Sequence, residues 1–311
     1  MSNNSFLLSV GASALALMLT ACGGGGGGIA PIATPTPRPT PTPAPTPTPT
    51  PTAPPIPDQP IGLAVNGSFA VFSTRYDNGK LAGGPGGLQF AYSAAKDEYT
   101  ITIPGFSPGQ LVTTGANGSY DSSGWLDIDS TVNDVTNSNG KLGVTLDWAA
   151  SSDLKYTSMG SWWTTDGQQQ GYFAYGVPTS AGDMPVTGSA DYSGNIRGVT
   201  SGTDYVFGGI DLTFNFGSGT LSGEMTPAIA PVWDAISLGT YTFRDTVYSK
   251  GGTTFSGAFD VPGSTGASSF EGSFNGPNGA EVMGSWKAPY LNPLTNTWGD
   301  MSGVFAAGKT P

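Results

Sequence analysis

The chain has no histidine, and its 311 residues contain a single cysteine, Cys22. Without an imidazole there is no Ser-His-Asp or Cys-His nucleophilic site, no histidine zinc site and no histidine-ligated haem. One thiol supplies neither an internal disulfide nor an iron–sulfur cluster. Basic residues are scarce as well: 11 Lys and Arg stand against 22 Asp and Glu, a formal charge of −11. That balance argues against nucleic acid as a partner, because phosphate backbones require basic patches. The acids form no recognisable cation loop. Asp127-Ile128-Asp129 comes nearest, and it lacks the glycine and terminal glutamate of a calcium motif. No two carboxylates are singled out as a glycosidase pair, although such pairing is spatial. A carboxylate-dependent hydrolase is therefore the minor alternative to a non-enzyme, and no cofactor is expected.

What is present begins with residues 6–19, an apolar run interrupted only by small residues. It is shorter than the ~20 residues of a membrane span and has the size of a signal h-region. Leu19-Thr20-Ala21-Cys22 resembles the lipobox of bacterial lipoproteins, in which cleavage precedes a cysteine that carries diacylglycerol. The resemblance implies a signal peptide over residues 1–21, lipidation of Cys22 and, with Gly23 rather than aspartate following, an outer-membrane location. The region before the apolar run has no Lys or Arg, which departs from the pattern. An ordinary secretory signal with an incidental cysteine is the alternative.

Residues 22–60 read as a linker. Six glycines (23–28) are followed by an alternation of proline with threonine, and 14 of the 26 prolines fall within residues 31–60. Such alternation enforces polyproline II and forbids helix and sheet. At ~3.1 Å per residue the segment could reach ~90 Å as a semi-rigid stalk. A polyproline ligand for a partner domain is the weaker reading.

Beyond residue 61 the chain carries short alternating runs separated by glycine, asparagine and serine turns, with almost no helical period. The pattern predicts an all-β protein in two modules: a β-rich first part over residues 61–182, then an eight-stranded antiparallel β-barrel over residues 183–311. In the second part several strands read aromatic, glycine, aromatic on one face: Phe255-Gly257-Phe259, Phe270-Gly272-Phe274 and, with Trp286, Val282-Gly284-Trp286. That sequence suits a small closed barrel, where rings fill the interior and glycines relieve crowding. An open two-sheet sandwich would use the same pattern. A transmembrane barrel would need an outward apolar band and a hydrophilic lumen.

The stretch from Phe270 to Trp286 also resembles a motif of the transferrin-binding protein B family. In that family a barrel strand ends in Gly-x-Phe-Tyr-Gly-Pro, followed by Ala-x-Glu and Gly-x-aromatic. Gly272, Phe274, Gly276, Pro277, Ala280, Glu281, Gly284 and Trp286 match in kind, and Asn275 replaces the tyrosine. Residues 184–194, 256–259, 156–163 and 173–176 resemble neighbouring blocks of the same group. The resemblance implies a surface lipoprotein with a handle and a barrel, a structural signature turn in which Glu281 caps nearby amides, and ligand binding through variable loops. It also implies a protein or iron- or haem-related ligand and a TonB-dependent outer-membrane receptor as partner. Haem would need tyrosine or methionine ligation, or an apolar slot. A structural or adhesive envelope lipoprotein is the alternative function. Trp162, Trp163 and Trp233 are the candidate ligand contacts, read as exposed loop aromatics. Packing between handle and barrel is the competing role for each.

Overall fold

A computed structural model describes residues 67–77, 80–82, 87–93, 95, 98–104, 110–114, 118–120, 125–128, 142–147, 154–164, 167–231 and 234–311. The expected signal peptide, Cys22, the 22–60 linker and Trp233 lie outside them, as does Asp129 of the weak calcium match.

The N-terminal half is built from short strands. They are β1 (Gly67–Ser68), β2 (Ala70–Ser73), β3 (Arg75–Asp77), β4 (Lys80–Ala82), β5 (Gln89–Ser93) and β6 (Glu98–Thr102). There follow β7 (Gln110–Thr114), β8 (Gly118–Tyr120), β9 (Trp125–Ile128), β10 (Leu142–Asp147), β11 (Thr157–Thr164) and β12 (Gln169–Gly176). One sheet has the order β1-β5-β6-β7; the other runs β4-β3-β12-β11-β10-β9-β8, with β2 also paired to β12. Alternation in β12 explains how the layers stack. Phe173 and Tyr175 face the first sheet, where Phe90 meets the Tyr175 ring edge-on at 4.5 Å and stacks on Phe69 at 5.1 Å. The opposite face of β12 brings Ala174, with Tyr172 beside it, to Met283, Val304 and Ala306 on the outer wall of the second half.

That second half is a closed barrel. Its strands are β13 (Ser189–Thr200), β14 (Tyr205–Asn215), β15 (Thr220–Ala230), β16 (Ile236–Ser237), β17 (Tyr241–Tyr248), β18 (Thr254–Asp260), β19 (Ser269–Asn275), β20 (Glu281–Asn292) and β21 (Thr297–Lys309). Eight of them pair antiparallel in the ring β14-β13-β21-β20-β19-β18-β17-β15, which β14 and β15 close over eleven residue pairs. The two-residue β16 only flanks β15. Closure removes the sheet edges, and the all-β, eight-stranded expectation holds.

The lumen is packed with side chains. Tyr192, Phe214, Phe216, Tyr241, Phe259, Phe274, Trp286 and Phe305 are almost wholly buried. The inward glycines are the places where those rings lie across the neighbouring strand. A Cβ on Gly257 would meet Phe270 Cζ at 2.5 Å, one on Gly284 would meet Phe305 Cε1 at 2.5 Å, and one on Gly303 would meet Trp286 Cζ2 at 2.5 Å. Gly272 stands in the same relation to the Phe255 ring. Two of the buried phenols find carbonyls: Tyr192 Oη donates to Gly279 O (2.5 Å) and Tyr241 Oη to Pro289 O (3.1 Å). The Trp286 indole N–H donates to Val304 O at 3.2 Å.

Adding a methyl where a ring already rests overpacks the interior. Gly303→Ala should therefore cost about 2 kcal/mol or more in a denaturant titration, whereas Ser218→Ala, in the exposed β14–β15 turn, should stay within about 0.5 kcal/mol.

Candidate functional site

Because rings occupy the lumen, surfaces able to meet a ligand lie outside the barrel, and its two ends differ. At one end the chain turns through residues 276–280, where a short 3₁₀ turn, Pro277–Gly279, joins β19 to β20. Gly276 (φ 72°) and Asn278 (φ 55°) take left-handed backbone there, and the Gly276 position abuts the Tyr156 ring. The segment after β12 adds itself to this end: Gly276 N donates to Val177 O (2.9 Å), Thr179 N to Phe274 O (2.9 Å) and Thr179 Oγ1 to Gly276 O (2.7 Å).

Glu281 is buried at the same place. Its carboxylate accepts the backbone amides of Lys155 (2.5 Å) and Tyr156 (3.0 Å), so it caps the strand leading into β11 rather than its own turn. This corrects the expectation of a purely local cap: both donors lie more than 120 residues away in sequence. Burial pushes the Glu281 carboxyl above its ordinary value of 4.5, while the amides of Lys155, Tyr156 and Thr157 pull the other way. Asn275 is fully buried against Gly176, and neither its amide oxygen nor its nitrogen has a hydrogen-bond partner.

Trp162 and Trp163 lie on β11, not in a loop, and alternation sends them to opposite faces. Trp162 is 2% exposed, with its ring beside Gly171 and the Arg75 guanidinium 5.9 Å from its centroid. Trp163 is 37% exposed. Of this pair only Trp163 is placed to touch a ligand.

At the other end of the barrel the strands stop unevenly. β18 and β19 have 7 residues each, whereas β20 has 12 and β21 has 13. β19 begins opposite Lys287 and β13 ends opposite Met301. Among the described residues, 289–292 and 297–300 therefore form strand-ladder pairs only with one another, as a ribbon rising beyond both neighbours. The ribbon carries exposed Leu291 (39%), Leu294 (63%) and Trp298 (47%). Leu291 and Trp298 are a direct cross-strand pair, so both side chains lie on one face. Beside them a cleft of about 410 Å³ is lined by residues 263–266, Pro289, Trp298, Gly299 and Asp300. Sequence reasoning missed this feature. The available signal was Asn292-Pro293, a turn followed at once by an apolar Leu294 amid polar neighbours.

Residues 184–309 match the family model described as the C-lobe and N-lobe β-barrels of transferrin-binding protein B. No curated protein matches the chain. Among solved structures, a transferrin-binding protein B from Haemophilus parasuis shares 16% identity at TM-score 0.47, over 77% of this chain and 44% of its own. The isotype 1 protein from serogroup B Neisseria meningitidis shares 16% at TM-score 0.42, over 77% and 43%. Kievitone hydratase from Nectria haematococca shares 11% at TM-score 0.24, over 81% and 91%. The present chain thus spans less than half the length of the two transferrin-binding proteins.

Two outcomes follow from this geometry. Trp162→Ala should lower unfolding free energy by about 3 kcal/mol, with Trp163→Ala within about 0.5 kcal/mol, as read by denaturant titration with circular dichroism.

Glu281→Ala strands two buried amides and should cost about 3 kcal/mol, with limited proteolysis opening the segment around residue 155 before the barrel. The pH dependence has a definite sign. The folded protein holds the Glu281 carboxyl above its unfolded value, so the group's contribution is full below about 4.5 and fades as pH rises through the folded value. The stability of the wild type relative to Glu281→Gln should accordingly decrease from pH ~4.5 toward neutrality.

Proposed function

Taking this transferrin-binding protein B-like chain as the premise, we propose that it is a lipid-anchored outer-membrane lipoprotein that binds a protein or an iron- or haem-related ligand and catalyses nothing. The match of residues 184–309 to the barrels of transferrin-binding protein B carries the reading. Cys22 bears the lipid, the Gly and Pro-Thr segment over residues 22–60 holds the folded part away from the membrane, and the loops meet the ligand. A tether of that reach raises the local concentration of captured ligand near a membrane partner, for which a TonB-dependent receptor is the proposed recipient.

Packing narrows how haem could bind. The interior phenols Tyr192 and Tyr241 are committed to carbonyls, and burial pushes both well above the ordinary range of a phenol. A haem would have to sit on an outer surface. A protein ligand needs no such slot and is favoured. Transferrin itself is the first candidate, since the matched family is named for it.

The test is direct binding of soluble residues 61–311 to immobilised transferrin, haemoglobin and haem. Saturable binding to one of them is expected, and failure on all three would overturn the assignment of ligand class. For the anchor, Cys22→Ser should move the full chain from the membrane to the soluble fraction or leave it uncleaved. A mutant that stays membrane-bound, with an unmodified cysteine in the wild type by mass spectrometry, would refute it.

A further inference from the structure

The ribbon at residues 289–300 presents its apolar side chains in a fixed shape. Asn292 Oδ1 accepts the amides of Leu294 (2.9 Å) and Thr295 (3.3 Å), and Asn296 N donates to Asn292 O (2.8 Å). Asn296 takes the left-handed conformation (φ 53°), and the Thr295 and Thr297 hydroxyls bond across the tip at 2.7 Å. The base is fastened by Ser201 N donating to Asp300 O at 2.8 Å. A ribbon ordered in this way loses little conformational freedom when something docks on it.

Charge indicates what would dock. The connections at this end are residues 201–204, 231–240, 261–268 and the ribbon at 289–300. Together they contain three acids, Asp204, Asp234 and Asp300, and no Lys or Arg. Asp234 and Asp300 are exposed. Cations lie on the adjoining strands, among them Arg197 of β13, near Tyr172. Arg244 is paired with Asp245 and, at 3.1 Å, with Asp260. Lys287 lies on the barrel wall opposite Ser302. The apolar side chains of Leu291, Leu294 and Trp298 thus stand at an end whose connecting loops carry three acids and no base, with Lys287 the exposed cation on the same face of β20 as Leu291.

We propose that this rim is a protein-docking surface that takes a basic segment, with a bulky apolar side chain of the partner seated against Trp298 and a flanking Lys or Arg meeting Asp300. Tryptophan is the side chain that most often anchors such contacts, and the acidic surround steers a cationic partner while repelling anionic lipid. The inference rests on the ligand-binding reading above and assigns its contact to the barrel's ribbon rather than to Trp163.

Selection from a randomised peptide display library on the soluble 61–311 protein tests it, with the Leu294→Ser/Trp298→Ala variant as counter-target. Both side chains are exposed, so the variant should keep the wild-type melting curve; the single Leu294→Ser change serves if it does not. Peptides enriched on the wild type should carry net positive charge and at least one bulky apolar residue. A synthesised representative should bind at least ~10-fold more weakly to Trp298→Ala, a few-fold more weakly to Asp300→Asn, and equally to Trp163→Ala. Its affinity should fall between ~50 and ~300 mM NaCl. Neutral or acidic winners, equal affinity for the variants, or no enrichment over the counter-target would each overturn the proposal. So would a concentration-dependent dimer abolished by Trp298→Ala, because the surface would then belong to a second copy. Transferrin, haemoglobin or haem binding that is unchanged by Trp298→Ala would leave the ligand-binding reading standing and remove only this site.

Discussion

Eight strands enclose a lumen only wide enough for side chains or one small ligand, and here rings fill it by resting on the glycines of adjacent strands. Phe270 covers Gly257, Phe255 covers Gly272, Phe305 covers Gly284 and Trp286 covers Gly303. Each ring buries roughly 150–250 Å², about 4–6 kcal/mol by area as an upper bound. Missing side chains thus do two things at once: they let the strands coil tightly enough to close, and they give each ring a flat seat. The functional consequence follows from volume. A filled lumen holds no ligand, so whatever the protein binds must be met by loops, by the N-terminal sheets or by the outer wall.

The signature turn belongs to this mechanical logic. Its Gly276 admits Tyr156 against the barrel end, and its glutamate accepts the Lys155 and Tyr156 amides beside that ring. A buried carboxylate is costly to desolvate, and it is retained because two main-chain donors would otherwise be orphaned. The same turn receives residues 177–179 through three hydrogen bonds. The sheets are therefore held to the barrel at both ends of the β11–β12 hairpin, and Ala174 is pressed onto Met283, Val304 and Ala306 between them. Asn275, where the family pattern has tyrosine, is a member of this junction whose side-chain polar atoms gain no hydrogen bond from burial.

What could be read from the residues was whatever depends on period two. Alternation gave the all-β class, the eight barrel strands and the inward aromatic-glycine face, because each is a property of one strand at a time. Contacts across more than 120 residues escaped. Glu281 could be seen to want amides, but only the fold names Lys155 and Tyr156. For Trp162 and Trp163, alternation required opposite faces without saying which face is inside, and the turn-rich context suggested a loop where β11 runs. The protruding ribbon was invisible for another reason. A strand of 12 residues is unremarkable until its neighbour is known to have 7.

An exposed two-stranded ribbon carrying leucine and tryptophan is a liability in isolation, since paired edges and apolar tips invite self-association. The rim around it limits that liability. Two copies meeting tip to tip would bring Asp234 and Asp300 of each toward the other, without a cation in the connecting loops to offset them. The same arrangement that discourages a second copy, or an anionic membrane, is attractive to a basic partner. Specificity of this kind comes as much from what the surface repels as from what it holds.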